Sequence, residues 1–582
     1  MCENFLRKKY VVSAIILLIM AGAFAVRFYH FHDWLYFKMD QSRDAFTISN
    51  AVMNGPGNLP LLGARAGATK VTYGFLHLGP VFYYFQYLSG VIFHSTLPDV
   101  FAYPDLFFGI MVLPLLYIFS RYYFKRYVSL LIIAMYAFSF IIIEYSRFAW
   151  NPNSLPFFTI LSFLALLKFL NAKDGKWRLL WVALWSLGLT VGSQLHFVGF
   201  FCLIGVSGLL IIYHYALWKA ANQGHIFEKD ILKKILVSAV TALAVFLVLY
   251  TPVIISDSMK NGANTKDFFE ALSSKQAKKP LLDKLGLNIE QQVENYTMIA
   301  TGFLYPKNMT AAGYVPIILT LVIFFGGIYF VAKKLIRGKL EQCRKDFLML
   351  ILLWVGVFFV LCIPLAYSIR PRFFIFTFAA PFIFLGLIFE GLEESRWKFC
   401  PVAIFVLTVA VIGGNAFGTE AWFKEQAASQ IKHTAVKRTL ILKTKDGVTL
   451  GQLERAADHM YARRQGNNNL YFYVKPEHER PFNYLLAQKN DPTLNYTTSL
   501  KFNGDPKAQF FAVVPSDYKE NDVSKKVGRP FALVSKESFG QITVWEITFF
   551  DLEINPNFKA KKNSSLGESD RLYWKDVFGA KK

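Results

Sequence analysis

Residues 38–84 read KMDQSRDAFTISNAVMNGPGNLPLLGARAGATKVTYGFLHLGPVFYY. They follow the first hydrophobic run, Tyr10–Phe28. The stretch is polar, rich in Gly and Pro, and far too long for a tight turn. Most of the surrounding chain is apolar enough to be membrane span, and spans are joined by short loops. A long loop at this point is functional or disordered. Its Leu, Val, Phe and Tyr recur at spacings that can pack, which favours order. Asp40 and Asp44 stand four apart with Arg43 between them. A helix over Asp40–Met53 puts both acids on one face. The stretch reads as the wall of an active site at a membrane surface. The competing reading is the solvated acidic face of an amphipathic helix.

Of 582 residues, 54% are hydrophobic, 17% aromatic and only 18% charged; the mean hydropathy is +0.33. Soluble domains carry about a quarter charged residues. Many apolar runs reach the roughly 20 residues needed to cross a bilayer. The fold class is therefore a polytopic α-helical membrane protein. The net charge of +23 would suggest nucleic acid for a soluble chain. Here Lys and Arg flank spans in the positive-inside pattern, and no nucleic-acid partner is expected.

Tyr10–Phe28 follows Arg7, Lys8 and Lys9. It is long for a signal-peptide core and lacks a clean small-x-small cleavage site, so it reads as a retained span. With residues 1–9 inside, spans follow at about 10–28, 101–120, 128–145, 154–170, 179–195, 197–217, 235–256, 312–332, 347–367, 373–391 and 399–415. Arg121, Lys125 and Arg126 must be inside, which leaves 77–94 on the outer side as an interfacial or re-entrant helix. Residues 29–96 then form the first outer loop and 257–311 a second. The membrane part is 1–419. From 420 to 582 the composition changes to that of a small soluble α/β domain on the outer face. Helices are expected at 450–465 and 480–488, and strands at 470–474, 509–514 and 541–549. The tail after Asn555 is polar and Lys-rich and reads as mobile. The cysteines Cys2, Cys202, Cys343, Cys362 and Cys400 all avoid the outer regions, so no disulfide framework is implied.

A carboxylate at the membrane surface can act as general base toward an acceptor attacking a sugar carbon; Asp40 and Asp44 are the candidates. A lipid-phosphate leaving group needs positive charge more than a strong acid. Arg43 and Arg65 in the first loop, Arg147 in the next, and Arg370 and Arg372 in SIRPRFF supply it, and the planar Arg fork suits phosphate. Arg147 has a rival reading as a snorkelling residue. Arg370 and Arg372 break the positive-inside pattern by lying outside. His77 and His196 sit near outer span ends, where structural histidines are the commoner case. Tyr83, Tyr84, Trp150 and Tyr367 suit either a sugar groove or interfacial anchoring. There is no Walker loop, no GxGxxG after a strand, no HExxH and no Cys/His metal spacing. A donor used on the outer face must therefore arrive on a lipid.

MDQSRDAFTISNAVMNGPGNLPLLG resembles the first outer-loop motif of GT-C class glycosyltransferases, in the branch of the protein O-mannosyltransferases and lipid A aminoarabinose transferases. That pattern runs D-E-x-x-Y-A, then a small-residue stop and a Pro. Asp40 stands at the catalytic Asp, Gln41 at the Glu and Asp44 at the aromatic position, while Ala45 and Pro60 match. HLGPVFYY resembles the next segment through His77, Pro80, Tyr83 and Tyr84, which that family places on an interfacial helix. YSRFAWNPNSLPFF and SIRPRFFIFTFAAPFIFLGL resemble its second outer-loop and late motifs. The resemblance spans roughly 10–415 and implies a GT-C fold. It also implies inverting transfer from a polyprenyl-phosphate sugar, with phosphate held by Arg147, by Arg370 or Arg372, and by Arg43. His77, Tyr83, Tyr84, Asn151 and His196 would face substrate, and the acceptor would be a glycan, lipid or protein. Gln41 replaces an acid, and Asn151 and Asn153 stand where many relatives have Asp. A two-carboxylate or metal-assisted site is thereby weakened; no cofactor is expected, with a divalent metal left open. The compartment implied is a bacterial cytoplasmic (inner) membrane, with the site facing outward. Rival readings are a lipid or glycan transporter or flippase, an envelope polymer ligase, and a non-catalytic assembly factor.

Overall fold

The structure, a computed structural model, describes residues 9–66, 76–172, 175–222, 229–274, 279–304, 311–365, 369–395, 397–439, 441, 447–500, 504–550, 552–555 and 571–579. Cys2 and most of the segment after Asn555 lie outside them. The membrane part contains helices α1 (Lys9–Phe28), α2 (Met39–Asn54), α3 (Val81–Ile92), α4 (Tyr103–Ser120), α5 (Arg126–Ala137), α6 (Phe140–Tyr145), α7 (Leu155–Leu170) and α8 (Gly175–Leu195). It continues with α9 (Phe197–Asn222), α10 (Lys229–Met259), α11 (Ala263–Ser274), α12 (Leu281–Thr301), α13 (Ala311–Arg337), α14 (Gln342–Cys362), α15 (Ala380–Glu394) and α16 (Cys400–Ile431). Four of these open with proline in the first turn, at Pro104, Pro156, Pro381 and Pro401. The missing N–H is harmless there and the fixed φ suits a helix start.

Among the described residues, seven helices are long and apolar enough to cross a membrane, and an eighth counts if Pro371–Thr377 and α15, bent by 44°, form one span. Val315, Ile318, Val322 and Phe325 of α13 and Val402, Phe405, Val406 and Val409 of α16 are exposed. Such a wide apolar face suits lipid and would be unsustainable in water. The expected count of about eleven spans is not met by length and composition. The expected span 128–145 is two helices, α5 and α6. The break is held by Asn415, whose Oδ1 accepts from the Phe140 N–H (2.9 Å) and whose Nδ2 donates to the Ala300 carbonyl (2.9 Å). The expected spans at 154–170 and 179–195 appear as α7, a shorter apolar helix, and α8, which buries Thr190, Ser193 and Gln194. Helix α3 has 12 residues, about 18 Å of rise, too short for a bilayer core of about 30 Å.

The expected loop 257–311 is largely helical. Tyr296 of α12 donates to Thr377 Oγ1 (3.0 Å) and packs edge-on against Phe374. The Trp354 indole of α14 donates to the Phe376 carbonyl (3.1 Å). These bonds fix the segment Pro371–Thr377, which begins beside Arg370.

Helix α16 runs unbroken through the expected domain boundary at 419/420 to Ile431. Beyond it lie α17 (Leu450–Ala462), β1 (Asn469–Tyr473), α18 (Pro476–Ala487), β2 (Tyr496–Thr497), β3 (Ala508–Pro515), α19 (Glu520–Val527), β4 (Phe531–Phe539), β5 (Ile542–Phe549) and α20 (Trp574–Phe578). The sheet order is β2-β1-β3-β5-β4. Strands β2, β1 and β3 are parallel, and β5 and β4 are antiparallel additions. The expected helices and strands are all present, with β2, β4 and α19 in addition.

This C-terminal unit packs directly on the first loop. Leu450 and Gly451 donate backbone bonds to Leu35 and Asp33 (2.9 and 3.1 Å). A Cβ on Gly451 would stand 3.1 Å from the Asp33 backbone, so any larger residue would have to push that backbone aside by a few tenths of an ångström. Tyr484 of α18 inserts between Phe37 and Phe46 and donates to the Thr96 carbonyl (2.5 Å). The His32 imidazole lies between Asp99 (3.2 Å) and Glu454 (2.7 Å).

His32 makes the docking pH-sensitive. Its bonds to Asp99 and then to Glu454 raise the imidazole to about 10. The folded value exceeds the unfolded one, so the contribution is complete below about pH 6.5 and is lost as pH rises through about 10. His32→Gln is expected to lower the unfolding temperature at pH 6.5 and to make no difference above pH 10.5. An equal gap at both pH values in detergent-purified protein would contradict this.

Candidate active site

Helix α2 places its polar residues on two sides. Gln41, Ser42, Arg43 and Asp44 face inward, while the Asp40 side chain is 55% exposed. Asp44 lies 2% exposed. Arg43 bridges the two acids: Nη1 donates to Asp40 Oδ1 (3.0 Å), and Nε and Nη2 reach Asp44 Oδ1 (2.9 and 2.8 Å). The Tyr83 hydroxyl of α3 donates to the same Asp44 oxygen (2.7 Å), and Arg571 Nη1 donates to the Tyr83 oxygen (3.2 Å). Burial pushes the Asp44 carboxyl up, while Arg43 and Tyr83 pull it down. A buried carboxyl gripped this closely is an anchor. The structure thus separates the two expected bases: Asp40 is accessible and oriented, whereas Asp44 holds the arginine that orients it.

Arg370 and Arg372 come to the same place. The Arg372 guanidinium lies over the Trp150 ring, 5.4 Å from its centre, and interacts electrostatically with Asp40, Tyr145 and Arg370. Its Nε and the Tyr145 hydroxyl are buried without a hydrogen-bond partner among the described residues. His196, in the break between α8 and α9, packs edge-on against Phe373 at 5.5 Å. Its Nδ1 accepts from the Val198 N–H (3.2 Å). Burial and the nearby Arg372 push the imidazole down to about 3, so it is neutral at pH 7.

The loop between α6 and α7 forms the facing wall. Gln41 Nε2 donates to the Ala149 carbonyl (3.1 Å), so the residue that replaces an acid ties α2 to this wall. Asn151 Nδ2 donates to the Leu195 carbonyl and Asn153 Nδ2 to the Phe148 carbonyl (2.8 Å). Asp105, not singled out in the sequence, organises the loop by accepting from the Trp150 N–H (2.9 Å) and the Ser154 hydroxyl (2.5 Å). An acid at the start of an apolar run is a signal that could have found it. Asp105→Ala strands two buried donors, at about 1–3 kcal/mol each. A drop in unfolding temperature together with loss of activity is expected. Wild-type stability in this variant would remove Asp105 from the scaffold.

Several expected substrate contacts are engaged elsewhere. Arg147 is 3% exposed. It donates to the carbonyls of Val26, Arg27 and Tyr29 (3.0, 2.8 and 2.7 Å) and lies over Trp422 and Phe423. These bonds satisfy C-terminal carbonyls of α1, while its Nε is buried without a hydrogen-bond partner among the described residues. Tyr83 is fully buried. Tyr84 donates to the Pro60 carbonyl (3.3 Å) and accepts from the Trp574 indole (2.9 Å). These tyrosines brace the first loop and do not line a groove. His77 is half-buried in a bridge with Arg65, and its backbone N–H donates to Asn264 Oδ1 (3.0 Å). Tyr367 and Ser368 lie outside the described residues. No group of three or more His, Cys, Asp or Glu among those residues could hold a metal.

The family model for dolichyl-phosphate-mannose-protein mannosyltransferase matches residues 94–253, a segment that begins after the first-loop motif and includes the wall loop. Among solved structures, ArnT from Cupriavidus metallidurans in the apo state superposes with a TM-score of 0.53 at 13% identity, covering 92% of this chain and 98% of that one. ArnT bound to undecaprenyl phosphate gives 0.52 at 13% identity, covering 91% and 97%. The oligosaccharyltransferase AglB from Archaeoglobus fulgidus gives 0.45 at 14% identity, covering 87% and 69%. No curated protein matches by sequence. The resemblance expected from the first loop is thus met by a mannosyltransferase-model segment in a multi-pass membrane chain with the fold of ArnT.

Proposed function

We propose that this chain is a glycosyltransferase that moves a sugar from a polyprenyl-phosphate-sugar donor to a glycan, lipid or protein acceptor. The active site and C-terminal unit face the outer side of a bacterial cytoplasmic membrane. Asp40 is the general base, and Arg372 with Arg370 receives the lipid phosphate. The observation that carries this reading is an exposed carboxylate, fixed through one oxygen by Arg43, within electrostatic reach of a guanidinium whose Nε has no hydrogen-bond partner among the described residues. One side can take a proton from an attacking hydroxyl or amine; the other can stabilise a departing phosphate. The mannosyltransferase-model segment supplies the wall between them, and the ArnT fold supplies the frame.

The balance is simple. The acceptor oxygen or nitrogen bonds to the anomeric carbon, the carbon–phosphate oxygen bond breaks, and the acceptor proton passes to Asp40. Polyprenyl phosphate leaves with the electron pair, and inversion follows from single displacement. The leaving group is already an anion, so no acid is needed and neutral His196 is not assigned one. Arg43 already occupies the space between the carboxylates, a poor arrangement for a bridging cation, so the mechanism is written without one.

The test is transfer or hydrolysis of a panel of radiolabelled polyprenyl-phosphate sugars by purified protein, reading release of free polyprenyl phosphate. Turnover by the wild type is expected. Failure with every donor by correctly folded protein would overturn the reading and favour a transporter.

A further inference from the structure

The last described residues, 571–579, return to the first loop. Leu61 N–H donates to the Leu572 carbonyl (2.9 Å), Trp574 N–H donates to the Leu59 carbonyl (3.1 Å), and Pro60 pairs with Tyr573. Lys575 Nζ donates to Asn58 Oδ1 (3.0 Å), and the Trp574 indole donates to the Tyr84 hydroxyl (2.9 Å). The expectation of a mobile tail therefore fails for this segment. Three hydrogen bonds, two of which make the Pro60–Tyr573 bridge, seat it on 58–61 between α2 and α3, and the Trp574 indole bond to Tyr84 anchors it on α3.

Arg571 is the segment's innermost residue. It is 9% exposed. Its guanidinium lies 5.3 Å above the Tyr83 ring, and Nη1 donates to the Tyr83 oxygen (3.2 Å). With that lone pair occupied, the Tyr83 hydrogen is directed at Asp44 (2.7 Å). Asp44 then takes two nitrogens of Arg43, and the remaining Arg43 nitrogen takes one oxygen of Asp40. The path from Arg571 to Asp40 is continuous, with a single hydrogen bond at each step except the two-nitrogen contact of Arg43 with Asp44.

We propose that the C-terminal segment is a strap that completes the active site, with Arg571 as the positioning residue that sets the orientation of Asp40 through Tyr83, Asp44 and Arg43. This rests on Asp40 being the base. Arg571 touches neither donor nor acceptor in this scheme. Its cation balances a cluster in which one other guanidinium, Arg43, faces two carboxylates. Without it, the Tyr83 proton loses its direction and the Asp44 carboxylate loses a counter-charge. Arg43 then sits differently on Asp40. Asp44 is faced by Arg43, Tyr83, Arg571 and Asp40, and Asp40 by Arg43 and Arg372. The consequence to read is therefore in how Asp40 is held toward the acceptor.

The experiment uses the full chain. Arg571→Ala and Arg571→Lys are assayed with whichever donor the wild type turns over. For Arg571→Ala a 10- to 100-fold fall in turnover number is expected, with donor KM within threefold. The acid limb of its pH–rate profile should move by at least half a pH unit, and added guanidinium ion should restore part of the rate. Arg571→Lys should recover part of it as well. Unchanged turnover and an unchanged acid limb would overturn the proposal. So would a loss that neither guanidinium nor Lys repairs in a folded protein.

Docking is tested separately. A Cβ on Gly57 would stand 3.5 Å from the Lys575 Cβ, within disulfide range. Gly57→Cys with Lys575→Cys is expected to cross-link quantitatively under mild oxidation and to keep wild-type turnover when cross-linked. Absence of the cross-link, or its inactivating the enzyme, overturns the strap even if Arg571→Ala fails to fold. A wild type inactive with every donor, in a chain that still cross-links, would instead sink the glycosyltransferase reading.

Discussion

Asp40→Asn should abolish most turnover while leaving the fold in place, with a loss of about 100-fold or more. Removing a general base costs this much because the acceptor must then shed its proton to water. The substitution is nearly isosteric, and Asn can still accept the Arg43 bond at Oδ1. The side chain is 55% exposed, so no buried group is stranded. The unfolding temperature should stay within about a degree or two, as for surface substitutions away from special features. Turnover of the variant, measured as release of labelled polyprenyl phosphate, is the decisive quantity. A rate within threefold of wild type would move the base elsewhere. Asp44, buried and bonded to Arg43 and Tyr83, could not then serve without rearrangement of α2 and α3. Asp44→Asn is expected to behave differently, lowering unfolding temperature and rate together because it loosens the anchor.

Arg372→Ala is the second large effect. A preorganised donor aimed at developing negative charge contributes roughly 100- to 1,000-fold in rate. Arg372 fits that description. Its plane rests on Trp150 and Phe373, and its Nε has no hydrogen-bond partner among the described residues. Arg372→Lys keeps the charge but loses the stacked plane and the fork, so it should fall between wild type and Ala. The loss should appear in turnover more than in donor KM, because phosphate charge grows as the bond breaks. Equal rates for wild type and Arg372→Ala would remove Arg372 from the mechanism and leave Arg370 to be tested. Trp150→Ala should mimic part of the Arg372 defect by letting the guanidinium swing.

Helix positions were legible because apolar runs and proline starts carry them. The span count was less so, since a break such as that at Phe138–Ser139 depends on Asn415 from a helix far along the chain. Helix α16 outran its apolar stretch. After Asn415 the sequence AFGTEAWFKEQAASQI keeps good helix formers, and hydropathy alone marks where lipid ends, not where a helix does. Asp40 stands out in the sequence by its motif and Arg372 by its misplaced charge, and the structure brings the two within electrostatic reach. The carbonyl bonds of Arg147 were not legible, because an outer arginine looks the same in sequence whether it meets a ligand or the carbonyls at the end of α1. Tyr83 and Tyr84 likewise gave no sign that their hydroxyls were committed. The docking of 571–579 had no local signature: it is a handful of backbone pairings and one arginine among many.

That docking bears on when the protein becomes functional during its own synthesis. Arg571 and Tyr83 are 488 positions apart. At roughly 5–20 residues per second, about 25–100 s separate the emergence of the two. Through that interval the nascent chain holds its first loop and Asp40 without the last anchor. On the strap proposal, a chain ending between Ile431 and Arg571 would keep every described membrane helix and lack the residue that orients Asp40. On the same proposal, Asp40 takes its working orientation only after residue 571 has joined the fold.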